Sequence, residues 1–498
     1  MPNNIILFMS DQLRRQVLGH ASPYSAATPH MDALAATGVQ FENACSVYPI
    51  CVPARFALMT GAYPHTRFVP GIEWRMSPAE YCLGHEMAGA GYQPAYVGKW
   101  HLYGGHGVLP GHSAKKADKT RIPPAFRGGF ERWRGFDVAN DPFDTWYFEQ
   151  DEREPRRLEG YQTDALVTLA TDTIAELASS TRPFFLVVSV EPPHFPLEAP
   201  DAYLRRVRER EHELPPNFLA GADEAMPGHR RGEEDREALI AYLMRYKAMV
   251  ENLDDNIGRL VGHLEERGLR DTTDLVVTSD HGQMDGAHGL RSIVKGYPFD
   301  ESVGVPLIFN GPSVPAAQRG SCVSTPVSLI DLPVTFAAMA SGAGDSGSAA
   351  GPHATAGLHA TTGPQRLVAG RDLSPLIRGE ATGMDREAVY LEFVHDLRPG
   401  HVFHARYWRA VRSERYLYAV LGGAEGSRPW MLFDRREDPF EMDNLLAEPD
   451  ARQGTDVREI AAHHHTLLRR ELIASEDHFV LSPAYGMEGV NEWKRGAE

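Results

Sequence analysis

The chain has 498 residues, with 50 Lys and Arg against 67 Asp and Glu, a formal net charge of −17 with His neutral. Hydrophobic residues make up 42% and charged residues 23%, the composition of an ordinary globular protein with enough apolar surface for a large core. No apolar run approaches the ~20 residues of a membrane-spanning helix, and the acidic balance argues against a nucleic-acid partner. The four cysteines, Cys45, Cys51, Cys82 and Cys322, are too few for a disulfide framework.

In chain order, residues 5–9 (Ile-Ile-Leu-Phe-Met) form a short apolar run with no basic flank and no small-residue cleavage site. It reads as a central strand buried on both faces rather than a signal peptide, and a reducing, cytoplasmic setting is expected. Thr28-Pro29 opens a helix, with Thr28 as N-cap and Pro29 at the first position. Cys51 heads a second helical run that ends at Thr60-Gly61. Residues 183–190 and 275–279 read as further buried strands, and 305–309 as a fourth. Between them, residues 235–267 read as a long amphipathic helix, with Leu239, Tyr242, Tyr246, Met249 and Leu253 at helical spacing. Strands alternating with helices predict an α/β fold, a large, mostly parallel sheet sandwiched by helices.

Residues 341–365, dominated by Gly, Ala, Ser, Thr and His, lack apolar periodicity and read as a flexible insertion. After it, residues 407–412 and 416–420 read as paired antiparallel strands, followed by a helix near 455–474. The expected division is a catalytic domain over 1–374 and a smaller C-terminal α+β domain over 375–498.

Three of the strand candidates end in chemistry-bearing residues: Ser10-Asp11-Gln12, Glu191-Pro192-Pro193-His194 and Ser279-Asp280-His281-Gly282. In open α/β sheets the loops at the carboxyl ends of strands converge on the site. Asp11, Gln12, Asp280 and His281 would there offer two carboxylates, an amide oxygen and an imidazole. That set suits a hard divalent cation: Ca²⁺, with Mn²⁺ or Mg²⁺ as alternatives. A single Asp after a strand more often caps the next helix, but two such pairs favour the metal. The sharpest motif is Cys51-Val52-Pro53-Ala54-Arg55 at a helix start. Free N–H groups, the macrodipole and a guanidinium would create a positive field around a solvent-facing Cys51.

Cys-x-Pro-x-Arg followed by an apolar helix with Thr-Gly resembles the signature of the type I sulfatases of the alkaline-phosphatase superfamily, in which that Cys is oxidised to formylglycine. Further segments resemble the family in order: Gly98-Lys99-Trp100-His101-Leu102, Pro193-His194-Phe195-Pro196, Ser279-Asp280-His281-Gly282, His288-Gly289-Leu290 and Lys295 to Ser302. At the C-terminal end, Leu432-Phe433-Asp434, Asp438-Pro439-Phe440-Glu441-Met442 and Asn444-Leu445 resemble the family's hairpin. The resemblance implies an alkaline-phosphatase-like fold and hydrolysis of sulfate monoesters to alcohol and inorganic sulfate. One hydroxyl of a hydrated aldehyde attacks sulfur, and the other later expels sulfate.

By the same resemblance, Asp11, Gln12, Asp280, His281 and modified Cys51 bind one divalent cation, Ca²⁺ first. Arg55 and Lys99 hold the formylglycine. His101 is the base for elimination, and His194 and Lys295 face the sulfate, one of them protonating the leaving oxygen. Arg67, Trp74, Arg75, Tyr103, His106, Asp144, Trp146 and His288 are expected near the mouth. The implied partners are a formylglycine-generating enzyme during maturation and a small-molecule or carbohydrate sulfate ester. No nucleic acid or membrane is involved, and a homo-oligomer is left open.

Asp11-Gln12 and Asp280-His281 stand where many sulfatases carry Asp-Asp and Asp-Asn, and resemble the branch of choline sulfatases and phosphonate monoester hydrolases. A phosphonate monoester or phosphodiester hydrolase using the same formylglycine and metal is therefore the alternative. The Gly-Lys-Trp-His segment, with Lys99 and His101, tilts the choice toward sulfate.

Overall fold

Every residue of the first strand after Asn4 is buried, and alternate side chains enter different cores. Ile5, Leu7 and Met9 join one hydrophobic cluster, and Ile6 and Phe8 another. This computed structural model describes residues 2–104, 117–210, 212–218, 236–290, 294–341, 369–395, 407–423, 426–447 and 455–487. In chain order the strands are β1 (Asn4–Asp11), β2 (Val39–Phe41), β3 (Ala44–Cys45), β4 (Gln93–Lys99), β5 (Arg132–Phe136), β6 (Trp146–Glu149), β7 (Arg156–Arg157), β8 (Phe184–Pro193), β9 (Thr273–Ser279), β10 (Leu307–Asn310), β11 (Ser321–Val323), β12 (Val327–Ser328), β13 (Ala388–Phe393), β14 (Tyr407–Ser413), β15 (Tyr416–Gly423) and β16 (Gly426–Asp434).

Ten of them make one sheet, in the order β11-β2-β10-β9-β1-β8-β4-β5-β6-β7. The central run β9-β1-β8-β4-β5 is parallel throughout. The helices Cys51–Thr60, Leu83–Gly89 and Leu332–Ser341 supply side chains to the cluster on one face, and Pro29–Thr37, Gln162–Leu177 and Arg236–Glu266 to the cluster on the other. The mostly parallel, helix-sandwiched sheet is therefore as expected. A third cluster joins the antiparallel sheet β13-β14-β15-β16 to the helix Thr455–Ala474 and to Val47, Tyr48, Ile50 and Ala57 around the start of helix Cys51–Thr60. Among the described residues, no helix is long and apolar enough to cross a membrane.

Two local expectations change, and a third is not tested. The run at 305–309 does form a strand, β10, but it pairs antiparallel with β9. Among the described residues the only α-helix in the connection is the short Asp300–Val303, and the chain leaves and re-enters the sheet at the carboxyl end of β9. Thr28 does precede helix Pro29–Thr37, but its hydroxyl donates to Asp32 at 3.0 Å and leaves the helix end uncapped. Asp254, from the long helix, accepts from the N–H groups of His30 and Met31 at 3.0 and 2.8 Å instead. The insertion expected at 341–365 lies outside the described residues apart from Ser341, the last residue of helix Leu332–Ser341.

Two glycines fix how closely the site-bearing strands approach. Gly98 in β4 has φ +107°, and a Cβ there would collide with the Ser189 carbonyl oxygen of β8. A Cβ on Gly282 would collide with the Glu301 carbonyl oxygen, holding the loop after β9 against the segment after Lys295.

Candidate active site

β1 and β9 end side by side, so Asp11 and Asp280 meet at the carboxyl edge of the sheet, both fully buried. Gln12 turns the chain with φ 70°, and its N–H donates to Asp280 Oδ1 at 3.1 Å. Its carbonyl accepts from the buried Tyr246 hydroxyl at 2.8 Å. His281 Nδ1 bonds to the Gly282 carbonyl at 2.8 Å, which fixes the tautomer and turns Nε2 inward as an acceptor. Cys51 Sγ lies 3.4 Å from Asp11 Oδ1 and 3.2 Å from His281 Nε2. Asp11, Cys51, Asp280 and His281 thus form one buried group whose ligand atoms all lie within 4.8 Å of one another.

The donor set fits a divalent cation. It combines two carboxylates, the inward Nε2 and Gln12 Oε1, and the ammonium of Lys295 already lies among these atoms, at 2.8 Å from Gln12 Oε1, 3.2 Å from Cys51 Sγ and 3.4 Å from His281 Nε2. Among the described residues Gln12 Nε2 has no hydrogen-bond partner, whereas Oε1 accepts from Lys295.

Arg55, one turn along the helix from Cys51, is 1% exposed and ties four strand ends together. Nε donates to Asp280 at 2.8 Å, Nη1 to the Lys99 carbonyl and Ser189 Oγ, each at 2.9 Å, and Nη2 to Asp11 at 3.4 Å. Lys99, at the end of β4, is wholly buried with its ammonium 2.7 Å from Asp11 Oδ2 and 3.1 Å from Glu191 Oε1. Burial opposes charge on Asp11, but Lys99, His194, Arg55 and Lys295 outweigh it and hold the carboxyl well below the usual carboxylate range. Burial and the neighbouring Asp11 raise Asp280 to about 6. Burial, then the Lys295 charge, keep His194 and His281 well below an ordinary histidine.

Cys51 departs from expectation in two respects. It is 1% exposed rather than solvent-facing, because Lys295 and His281 close over it. Its thiol is also pushed up to about 12: burial and the Asp11 carboxylate outweigh the positive field of the helix start and Lys295.

The structure therefore brings Asp11, Gln12, Cys51, Arg55, Lys99, Asp280, His281 and Lys295 into mutual contact. His194 sits beside them, 9% exposed, its Nδ1 bonded to the Phe195 carbonyl at 2.7 Å and its ring stacked on Phe195. His101 follows Lys99 by two residues, buried in a left-handed conformation, its N–H bonded to the Asp137 carbonyl at 2.8 Å.

The residues expected at the mouth fare less evenly. Tyr103 pairs with Arg75, whose guanidinium lies over the Tyr103 and Phe126 rings at 5.8 and 5.3 Å. Trp74 packs edge-on against Phe56 of the Cys51 helix. Arg67 is exposed and pairs with Glu80 at 3.2 Å. Trp146 donates to Asp144 at 3.2 Å, which also accepts from Arg157 at 2.6 Å. His106 lies outside the described residues.

His288 is placed differently. It is 4% exposed, stacked on Phe299 with ring centroids 3.8 Å apart, 3.3 Å from Asn217 Nδ2 and 3.5 Å from Glu301. Its contacts anchor the loop that delivers Lys295 rather than line an opening. His288, Glu301 and Glu441 are a second buried group of ligand type, but the Asn217 amide donates to Glu301 at 2.6 Å as well as approaching His288, and Arg435 lies 3.5 Å from Glu441. Glu441 also accepts from the Asp300 N–H at 2.9 Å, so the hairpin after β16 holds the segment that follows Lys295.

Three residues with contacts to the machinery are given no role by the sequence: Ser189, Asp137 and Glu191, the last marked only as one of the chemistry-bearing strand ends. Ser189 and Glu191 are polar side chains in the apolar strand β8, which was the available signal; Asp137 follows the mixed strand β5 and offered none. Asp137 accepts from the Tyr103 N–H at 3.0 Å, and burial, only partly offset by that bond and by Lys99, raises it to about 7.

The sequence profile described as "Sulfatase" matches residues 3–343. An ulvan-active sulfatase of Formosa agariphila is 31% identical over 452 residues, covering 90% of this chain and 78% of that protein. A solved putative sulfatase from Bacteroides fragilis superposes with a TM-score of 0.76 at 25% identity, covering 96% of this chain and 97% of that one. The phosphonate monoester hydrolase of Agrobacterium radiobacter superposes with a TM-score of 0.68 at 21% identity, covering 95% of each chain, a likeness of fold.

Proposed function

From the premise that this chain belongs to the sulfatase family and is a sulfuric ester hydrolase, we propose that it hydrolyses a small or carbohydrate sulfate monoester, with residue 51 as nucleophile after conversion of Cys51 to formylglycine. The observation that carries this reading is the convergence of five separate segments on one buried point. These are Asp11-Gln12, the Cys51 helix start, Lys99, Asp280-His281 and Lys295. The similarity to an ulvan-active sulfatase supports a glycan substrate.

A divalent cation held by Asp11, Gln12, Asp280, His281 and residue 51 would supply neutralisation of the sulfuryl oxygens. The formylglycine would supply a hydrated aldehyde, one hydroxyl to attack sulfur and a second to release sulfate with return of the aldehyde. The chain's own groups do the rest. Arg55 fixes both metal-side carboxylates. Lys99 presents its charge from the β4 side. Lys295 reaches over Cys51 from the loop after β9, where it and His194 face the anion and one of them protonates the leaving oxygen. His101 takes the proton in the release step. The phosphonate reading rests on a likeness of fold and on the Asp-Gln and Asp-His pairs; the buried Lys99 favours sulfate. A reducing, cytoplasmic setting, with a formylglycine-generating enzyme as maturation partner, belongs to the same proposal.

Mass spectrometry of the peptide containing Cys51, from protein made with a formylglycine-generating enzyme, tests it. Conversion of the thiol to an aldehyde, with turnover proportional to the converted fraction, is the expected result. Full turnover by protein whose Cys51 is entirely thiol would refute it.

A further inference from the structure

Lys99 has two carboxylate partners of different kinds. Asp11 belongs to the cation-type cluster with Cys51, Asp280 and His281. Glu191, at 3.1 Å, does not; among the described residues its side chain bonds to none of those groups. It is instead built into the scaffold. Oε1 accepts from the Ala139 N–H at 3.0 Å, and Oε2 from the Asn140 N–H at 3.1 Å and Gln162 Nε2 at 2.8 Å. The Gln162 amide closes the grip by accepting from the Glu191 N–H at 2.9 Å. A carboxylate 4% exposed and held by three donors before it meets Lys99 cannot swing away.

An ammonium offers three donors and no acceptor. With Asp11 alone, the Lys99 head group could rotate about one contact, and its only counter-charge would be an oxygen that a cation also claims. A second carboxylate on β8, the neighbouring strand, removes both problems. The ammonium then lies 2.7 Å from one fixed carboxylate oxygen and 3.1 Å from another, so its charge is held in one place.

We propose that Glu191 is the positioning residue for Lys99: anchored by Gln162 and the N–H groups of Ala139 and Asn140, it pairs with the ammonium across from Asp11 and fixes the place from which that charge acts on the reacting sulfate. This rests on the reading of Lys99 as part of the sulfatase machinery, and the wild-type assay separates the two. A wild type that releases no sulfate refutes that reading, whereas the variants below judge Glu191 against an active wild type.

Glu191→Gln, Lys99→Met and the double variant are compared on 4-nitrophenyl sulfate, with folding checked by thermal melting and cation content by elemental analysis. A misplacement of this kind typically costs ~10²-fold. Glu191→Gln should lower kcat about 10²-fold with KM within about threefold and cation content unchanged. In the Lys99→Met background the same substitution should cost less than about threefold further, because its effect passes through Lys99. Glu191→Asp, which keeps the charge, should recover part of the lost kcat, and it replaces Glu191→Gln in the cycle should that variant melt below assay temperature. Wild-type kcat in Glu191→Gln, or effects that multiply in the double variant, would overturn the assignment.

Discussion

Arg55 and Lys99 are both fully buried cations, and each contacts more than one strand. Arg55 spends four of its five N–H donors on Asp280, Asp11, Ser189 and the Lys99 carbonyl. It is thus a tie between strands, and a Lys could not reproduce that fork. In the proposed mechanism the acid that protonates the leaving oxygen is His194 or Lys295. Loss of a general acid typically costs ~10²–10⁴-fold. Whichever of His194→Ala and Lys295→Ala removes it should slow a sugar or alkyl sulfate by about that factor and an activated aryl sulfate far less, since a good leaving group needs little protonation. Parallel kcat/KM measurements on the two substrates check this, and equal losses on both in both variants would exclude both residues as the acid.

At the scale of elements, the site depends on how the C-terminal sheet is fastened to the rest. His65, in the turn after the Cys51 helix, donates from Nδ1 to Glu392 of β13 at 2.5 Å and from Nε2 to the Ser475 carbonyl at 3.0 Å, with Asp477 at 3.5 Å. Burial works against the charge, but Glu392 and Asp477 overcome it and raise His65 above the ordinary 6.5. A raised histidine contributes stability that is fully present below pH ~6.5 and is lost as pH rises through the folded value. The difference in Tm between wild type and His65→Gln should therefore be largest at mildly acid pH and shrink as the pH is raised. A difference that grows with pH would contradict the clamp.

The same scale shows where sequence patterns fell short. The apolar runs located β1, β8 and β9 because strands buried on both faces leave an unbroken hydrophobic trace. The direction of β10 carries no such trace: it is set by a connection whose route depends on Gly282 packing under Glu301. His288 looked like a mouth residue from its place in a polar loop, yet a left-handed backbone and the Phe299 ring turn it inward. The metal-type set was legible because its members come in adjacent pairs after strands. Glu191 was not, because its partners at 99, 139, 140 and 162 are joined only by folding.

Over the whole molecule, the proposed cation would bind the folded chain alone, since Asp11, Cys51 and Asp280 are assembled from distant segments. Binding of that kind adds about 2.7 kcal/mol at a free concentration of 100 Kd. Treatment with EDTA should abolish turnover and lower Tm together, and Ca²⁺ or Mn²⁺ should restore both. Turnover that persists in a preparation shown to be metal-free would contradict the site.

The proposed preference for a sulfate ester over the phosphonate alternative on this shared fold rests on the Gly98-Lys99-Trp100-His101 segment, whose Lys99 is buried beside Asp11. The most direct measurement is kcat/KM on matched 4-nitrophenyl sulfate and 4-nitrophenyl phenylphosphonate, with formylglycine-containing enzyme and saturating Ca²⁺. The account predicts release of inorganic sulfate with the sulfate ester clearly preferred. A wide preference for the phosphonate, with sulfate turned over slowly or not at all, would contradict it.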